Sequence, residues 1–199
     1  MDDVTRCFAC EGGFRLSDAL AEQIINKAED VYLQAGENII EYGKIDTNVY
    51  VVAEGVLRIA YFDGNREQTN AFMDKGTIFM SLHGYFAGKP AFFYYQACCR
   101  ALVKKIPKEY FDSVIRNSHE FSNWIYSVAI HQLYGLEMRA SLIHGTVKER
   151  YIAFIKNRPN IVKNVPMKII AGYLGVDPSY LCRIKKTSHT VPDDDSQSY

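Results

Sequence analysis

No stretch of this 199-residue chain approaches the roughly 18 uninterrupted apolar residues that suggest a membrane-spanning helix. The first residues, MDDVTRCFACEGG, start acidic and hold no apolar core. They do not read as a secretory signal, and the expected compartment is the cytoplasm. Cysteine is sparse and odd in number. Cys7, Cys10, Cys98, Cys99 and Cys182 are too unevenly placed to form a secreted disulfide framework. Cys7 and Cys10 would need two further ligands to hold an iron–sulfur cluster, and the neighbours Cys98 and Cys99 would point to opposite faces of a strand. Free thiols are the simpler reading. The histidines, His83, His119, His131, His144 and His189, are scattered without an H-x-H pair, unlike the clustered ligands of a metal-dependent barrel enzyme. No phosphate-binding glycine loop, nucleophile arrangement or dinucleotide fingerprint occurs. Neither enzymatic activity nor a metal or other cofactor is therefore expected.

Net charge is also absent, but its distribution is uneven. From His144 to Thr187 there are nine basic residues and only two acidic ones, Glu149 and Asp177. That segment carries about seven positive charges, balanced by the acidic remainder. Such a split suggests a polyanionic partner for the C-terminal segment alone.

What is present falls into three textures. SDALAEQIINKA reads as a helix with Ser17 as N-cap and Leu20, Ile24 and Ala28 on one face. From Val31 to about Lys105, short runs rich in Val, Ile, Tyr and Phe alternate with glycine-containing turns. NVYVVAEGVLRIAYFDGNREQTNAFM reads as three strands with turns at Glu54-Gly55 and Asp63-Gly64. Strands at this spacing predict a small antiparallel barrel or jelly roll. Pro107 then opens a helix, and a long helix is expected from about Ser118 to Ile143. It carries two apolar stripes. One is Ile125, Ala129, Leu133, Leu136, Ala140 and Ile143; the other runs through Trp124, Val128, His131, Gly135, Met138 and Leu142. Two stripes allow packing on the barrel and on a second copy of the chain, with Trp124, Val128, His131, Met138 and Leu142 as the expected dimer residues, or burial on both sides in a monomer.

TVKERYIAFIKNRP reads as another amphipathic helix, and IIAGYLGVDPSYLCRIKK follows. Ala171 is small, Gly175 permits a sharp turn, and Leu181 and Ile184 follow at the spacing of a helix-turn-helix core. Asp177 and Pro178 suit the N-cap and first position of the second helix. Its outward residues would be Ser179, Tyr180, Arg183 and Lys186. Arg183 can offer a fork to guanine, and Ser179 and Tyr180 lie near the end that meets base edges. Lys168, Lys185, Lys186 and Thr187 can meet phosphates. The alternative is an ordinary helical hairpin, which has no need of so much positive charge.

These motifs, in this order, resemble the CRP/FNR (catabolite activator protein) family of transcription regulators. GENIIEYGKIDTNVYVVAEGVLRI is similar to the barrel signature of that family, and a long helix and AGYLGVDPSYLCRIKK follow in the family order. The resemblance implies an α+β chain: an N-terminal antiparallel jelly roll of the cyclic-nucleotide-binding kind, a long dimerisation helix and a C-terminal helix-turn-helix. The expected divisions are 1–117, 118–144 and 145–187, with a disordered tail over 188–199. The implied partners are double-stranded DNA, a second copy, RNA polymerase and a small-molecule effector, with no membrane. The resemblance places Ser179 and Arg183 at base-reading positions. Where the best-known members carry a glutamate that adds a base contact, this chain has Pro178, Ser179 and Tyr180, so the target sequence does not transfer.

The sensor departs further. Ser81-Leu82 stands where the family has a ribose-binding glutamate, and Tyr95-Gln96 or Gln96-Ala97 where it has the arginine pair that holds a cyclic phosphate. Losing that cation removes a strong charge-assisted bond, so cyclic AMP is not the expected ligand. Phe79, Ser81, Leu82, Tyr95 and Gln96 are the candidate pocket residues. Either aromatic side chains fill this pocket or it accepts an apolar ligand. After the recognition helix the sequence runs into SHTVPDDDSQSY, so the hairpin wing that many members of that family carry is not expected here. A separate reading keeps the barrel as a small-molecule binder whose basic helical end docks a protein partner.

Overall fold

The computed structural model describes residues 1–142 and 145–188. Two short helices, α1 (Asp3–Ala9) and α2 (Asp18–Asn26), precede the strands β1 (Glu29–Leu33), β2 (Asn38–Ile40), β3 (Val49–Glu54), β4 (Leu57–Asp63), β5 (Arg66–Met73) and β6 (Ile78–Met80). Helix α3 (Leu82–Ala87) separates these from β7 (Tyr94–Ala97) and β8 (Ala101–Ile106). Helices α4 (Lys108–Asn117), α5 (His119–Leu142), α6 (Val147–Asn157), α7 (Pro159–Asn164), α8 (Met167–Leu174) and α9 (Pro178–Ser188) complete the described chain.

The strands form two antiparallel sheets, ordered β1-β8-β3-β6 and β2-β7-β4-β5. Both expected turns exist, but they do different work. Asp63-Gly64 closes the β4–β5 hairpin, in which Asp63 faces Arg66. Glu54-Gly55 instead carries the chain from one sheet to the other, because β3 and β4 pair with different neighbours. Gly55 has φ 83°, and a Cβ there would lie 2.6 Å from the Arg100 carbonyl oxygen. Only glycine permits this crossing so close to the strand opposite.

Inside the barrel, Tyr50, Val52, Leu57, Met73, Phe79, Tyr95 and Val103 share one core. A second core lies at the barrel flank, where α1, α2, α4 and the first half of α5 meet. Helix α1 was not legible from periodicity. Asp2 caps it by accepting the Thr5 N–H at 2.8 Å, and Phe8 packs edge-on against Trp124 at 4.7 Å. Ser17 stands at the N-cap of α2 as expected, yet its side chain does not cap. Its hydroxyl and N–H donate to the Glu120 carboxylate of α5.

That packing corrects the reading of the long helix. Trp124 and Val128 are 0% and 2% exposed. The Trp124 ring N–H donates to the Ala9 carbonyl at 3.1 Å. These two residues belong to the core of their own chain and offer nothing to a second copy. From Ala129 to Met138 the helix is exposed on all sides, His131 and Met138 included. The side chain of Leu142 lies outside the described residues, as do Ile143, His144 and the tail from residue 189. No helix among the described residues is long and apolar enough to cross a membrane.

Candidate nucleic-acid interface

The C-terminal helices are built on a third core. Val56, Phe72 and Cys98 of the barrel join Tyr151, Phe154, Ile161, Ile170, Ala171, Leu174, Leu181 and Ile184. Phe72, Phe154 and Tyr173 form a triangle of rings with centroids 5.1–6.0 Å apart. Burial in this core pushes the Cys98 thiol up to about 12, so it is a protonated packing group at neutral pH. Helix α8 lies along β5, an edge strand of its sheet. A Cβ on Gly172 would stand 3.4 Å from the Glu67 carbonyl oxygen, so the small residue brings helix and strand together. The helix thereby covers an edge that would otherwise expose unpaired backbone.

Helix α6 starts with a capping box the sequence reading did not identify. The Thr146 hydroxyl accepts the Glu149 N–H, and the Glu149 carboxylate accepts the Thr146 N–H. The pattern T-x-x-E was the available signal. Arg150 then donates to the Leu174 carbonyl at 2.8 Å, placing a cation at the C-terminus of α8. Arg158 reaches back to the barrel, 3.9 Å from Asp74.

The α8–α9 pair has the expected packing. Gly175 adopts φ 67° and ends α8, while Ala171, Leu181 and Ile184 are buried between the helices and their support. Asp177 caps α9: its Oδ1 accepts the N–H groups of Ser179 at 2.8 Å and Tyr180 at 3.2 Å. These bonds hold its carboxyl below the usual range. Ser179, Tyr180, Arg183 and Lys185 are exposed together on α9, and Lys168 is exposed on α8. The Arg183 guanidinium lies 5.6 Å from the Tyr180 ring centroid. Lys186 and Thr187 continue the helix, but their side chains lie outside the described residues. This arrangement presents a hydroxyl, a phenol and a guanidinium on one rigid face, with cations beside it.

The barrel residues expected around a ligand are brought together only in part: Phe79 and Tyr95 meet, while Ser81, Leu82 and Gln96 go elsewhere. Phe79 stacks on Tyr50 at 5.4 Å and on Tyr95 at 5.7 Å, and the three rings occupy the barrel interior. The Tyr95 hydroxyl donates to the Met80 carbonyl at 2.9 Å, and burial pushes its pKa up to about 12. Ser81 caps α3, accepting the Gly84 N–H at 3.2 Å. Leu82 points outward at 65% exposure. Gln96, next to Tyr95 on β7, faces the other side of the strand and donates to the Gly36 carbonyl at 2.9 Å.

Gln96 also leads to a residue the sequence reading missed. Its side-chain oxygen accepts Nε of Arg58 at 3.0 Å and Nη2 at 2.6 Å. Arg58 is 4% exposed and pairs with Glu67 at 2.8 Å, while the Tyr94 hydroxyl donates to the same carboxylate. The charge of this buried cation is thus already answered within the chain. A lone arginine in the apolar run VLRIAYF was the signal that could have found it. Among the described residues, no group of three or more His, Cys, Asp or Glu side chains could hold a metal ion.

Residues 30–118 match the family model of the cyclic nucleotide-binding domain. No curated protein sequence matches the chain. Among solved structures it is similar to FixK2 from Bradyrhizobium japonicum, with 18% identity and a TM-score of 0.72, covering 86% of this chain and 89% of that one. It is also similar to the c-di-GMP-responsive global regulator CLP of Xanthomonas campestris, with 13% identity, a TM-score of 0.69 and coverage of 87% and 92%. A third similar structure is a CRP-family transcriptional regulator from Thermus thermophilus. It is 16% identical, with a TM-score of 0.64 and coverage of 80% and 84%. The jelly roll, long helix and C-terminal helices therefore share the fold of these solved regulators, and residues 30–118 match the cyclic nucleotide-binding domain model.

Proposed function

We propose that the chain is a homodimeric transcription regulator that reads double-stranded DNA through α9 and acts without enzymatic chemistry. The observation that carries this reading is the single exposed face of Ser179, Tyr180 and Arg183, on a helix whose opposite face, Leu181 and Ile184, is buried. Arg183 reads guanine in the major groove, with Ser179 and Tyr180 nearer the helix N-terminus. Lys168, Lys185, Lys186 and Thr187 meet phosphates. Two copies associate along α5 beyond Val128. Ile130, Leu133, Tyr134, Leu136 and Met138 are exposed there, a run of apolar surface that a monomer leaves in water. Such a dimer reads two half-sites related by its own two-fold axis. It acts in the cytoplasm, where it contacts RNA polymerase.

The barrel biases the two heads through α5 and the shared core around Phe72, and an effector acts by preferring one arrangement. Cyclic AMP is not that effector. The Tyr50–Phe79–Tyr95 stack occupies the barrel interior, and Arg58 is committed to Glu67 and Gln96. Selection from random duplexes tests the reading. The expected result is an enriched two-fold motif whose affinity falls steeply with salt. Arg183→Ala is expected to cost about 1–3 kcal/mol and to relax one position of that motif. Enrichment of no motif at modest salt, or an Arg183→Ala protein that keeps every preference, refutes it.

A further inference from the structure

A helix leaves its first N–H groups without intrahelical partners, and together with the helix dipole they form a ready anion site. In a recognition helix this end faces the DNA backbone and bases, and a phosphate is the natural occupant. The donors of α9 can be followed one at a time. Pro178, the first residue, has no N–H. Ser179 N and Tyr180 N both donate to Oδ1 of Asp177. Leu181 N donates to the Asp177 backbone carbonyl at 3.1 Å, the first bond of the helix proper. None of these amides remains for an outside anion. The group that takes them is itself an exposed carboxylate, one of only two acidic residues in the basic C-terminal segment.

We infer that Asp177 is a specificity-determining residue. It fills the phosphate seat at the N-terminus of α9, so the helix is held to DNA by side chains alone and sets a fixed negative charge against the duplex. The inference rests on the proposed DNA-reading role of α9. Its physical content is a separation of two terms. Phosphate contacts bind every sequence alike, whereas Arg183 distinguishes bases. A carboxylate at the helix start weakens the first term, and because it interacts with the Ser179 side chain and with Arg183 it also helps hold the reading side chains in place, so it raises the ratio of specific to non-specific binding. A neutral cap of similar geometry would satisfy the same amides without the repulsion, because Asn and Ser cap helices about as well as Asp.

The test compares the full-length protein with Asp177→Asn and Asp177→Ser on a selected duplex and on a duplex of unrelated sequence, over a range of salt. Both variants are expected to bind the unrelated duplex on the order of threefold to tenfold more tightly at low salt, an advantage that shrinks as salt rises. Their selected motif stays the same, while Arg183→Ala relaxes it. Unchanged affinity for the unrelated duplex in both variants overturns the inference. So does the loss of a single base preference in either, since that would make Asp177 a base contact. A wild-type protein that enriches no motif removes the DNA reading itself, and the inference with it. A failure confined to the Asp177 variants leaves that reading standing.

Discussion

The head and the barrel use polar aromatic side chains and arginine in opposite ways. On α9, Tyr180 and Arg183 stay in water beside each other, and the apolar residues of the helix turn inward. In the barrel, Tyr50 and Tyr95 turn inward with Phe79, and Arg58 is buried against Glu67 and Gln96. The head therefore carries polar side chains on an exposed face, and the barrel holds polar side chains in its interior. Buried polar atoms must be paired at home, whereas exposed ones are available for recognition. A barrel backbone can thus hold its shape with its interior filled by packed side chains.

The sharpest way to break this comparison is to open the barrel. Phe79→Ala removes the middle ring of the stack and leaves Tyr50 and Tyr95 facing a void. The expected loss is about 3–5 kcal/mol of stability in urea unfolding, with the DNA motif unchanged. The cavity so formed is apolar and should take up xenon or benzene. A loss below about 1 kcal/mol would mean that the rings are not a close-packed core.

A smaller effect is expected where barrel and head meet. Glu11, just beyond α1, is half-buried and lies near Asp74 and Thr77. Burial, then the Asp74 charge, raise its carboxyl from 4.5 to about 7, against the opposing pull of Arg158 on the head. Its folded pKa lies above its ordinary value, so the folded state holds the proton longer. The stability associated with this group is full below about pH 4.5, falls as pH rises and is lost by about pH 7, a change of up to about 3 kcal/mol. Glu11→Gln is expected to remove that slope, leaving the variant more stable than the wild type near pH 8 and equal to it near pH 4. Urea midpoints across this range check it, and parallel profiles for the two proteins would reject it. Arg158 lowers the Glu11 pKa by docking beside it, so ionisation of Glu11 in turn favours the docked head. Arg158→Ala should move the slope to higher pH.

The contrast also explains what could be read in advance. The α8–α9 unit was legible because Ala171, Gly175, Asp177, Leu181 and Ile184 all lie within a few turns, where spacing fixes geometry. The strands and the turns at Gly55 and Gly64 were legible for the same local reason. The partition of β3 and β4 between two sheets was not, because it depends on pairing with β8 and β7, which lie far along the chain, as in Val49 with Ile106 and Leu57 with Ala97. Trp124 and Val128 looked like a stripe for a second copy because the seven-residue α1 that buries Trp124 is too short to announce itself by periodicity. Arg58 was overlooked because its partners, Glu67 and Gln96, arrive from two other strands. A residue type suggests that a polar group matters, but only the tertiary fold shows whether its partner is internal or external.

The smallest expected effect falls on the joint between the two regions. The Thr146–Glu149 capping box starts α6, and α6 supplies Phe154 to the rings that hold Phe72 of the barrel. Thr146→Ala removes one half of the box and should cost about 1 kcal/mol. Only the amides near the start of α6 lose their partner directly. Hydrogen exchange is therefore expected to quicken first at Glu149 and its neighbours, with β3 and β8 unaffected. If barrel and head are coupled through the core around Phe72, a single unfolding transition persists and shifts to lower temperature as a whole. If the head instead melts in a separate, earlier transition, the shared core does not couple them, and the route by which the barrel instructs α9 must run through α5 alone. A cap far from both the barrel interior and the reading face thus reports on whether the two regions act as one body.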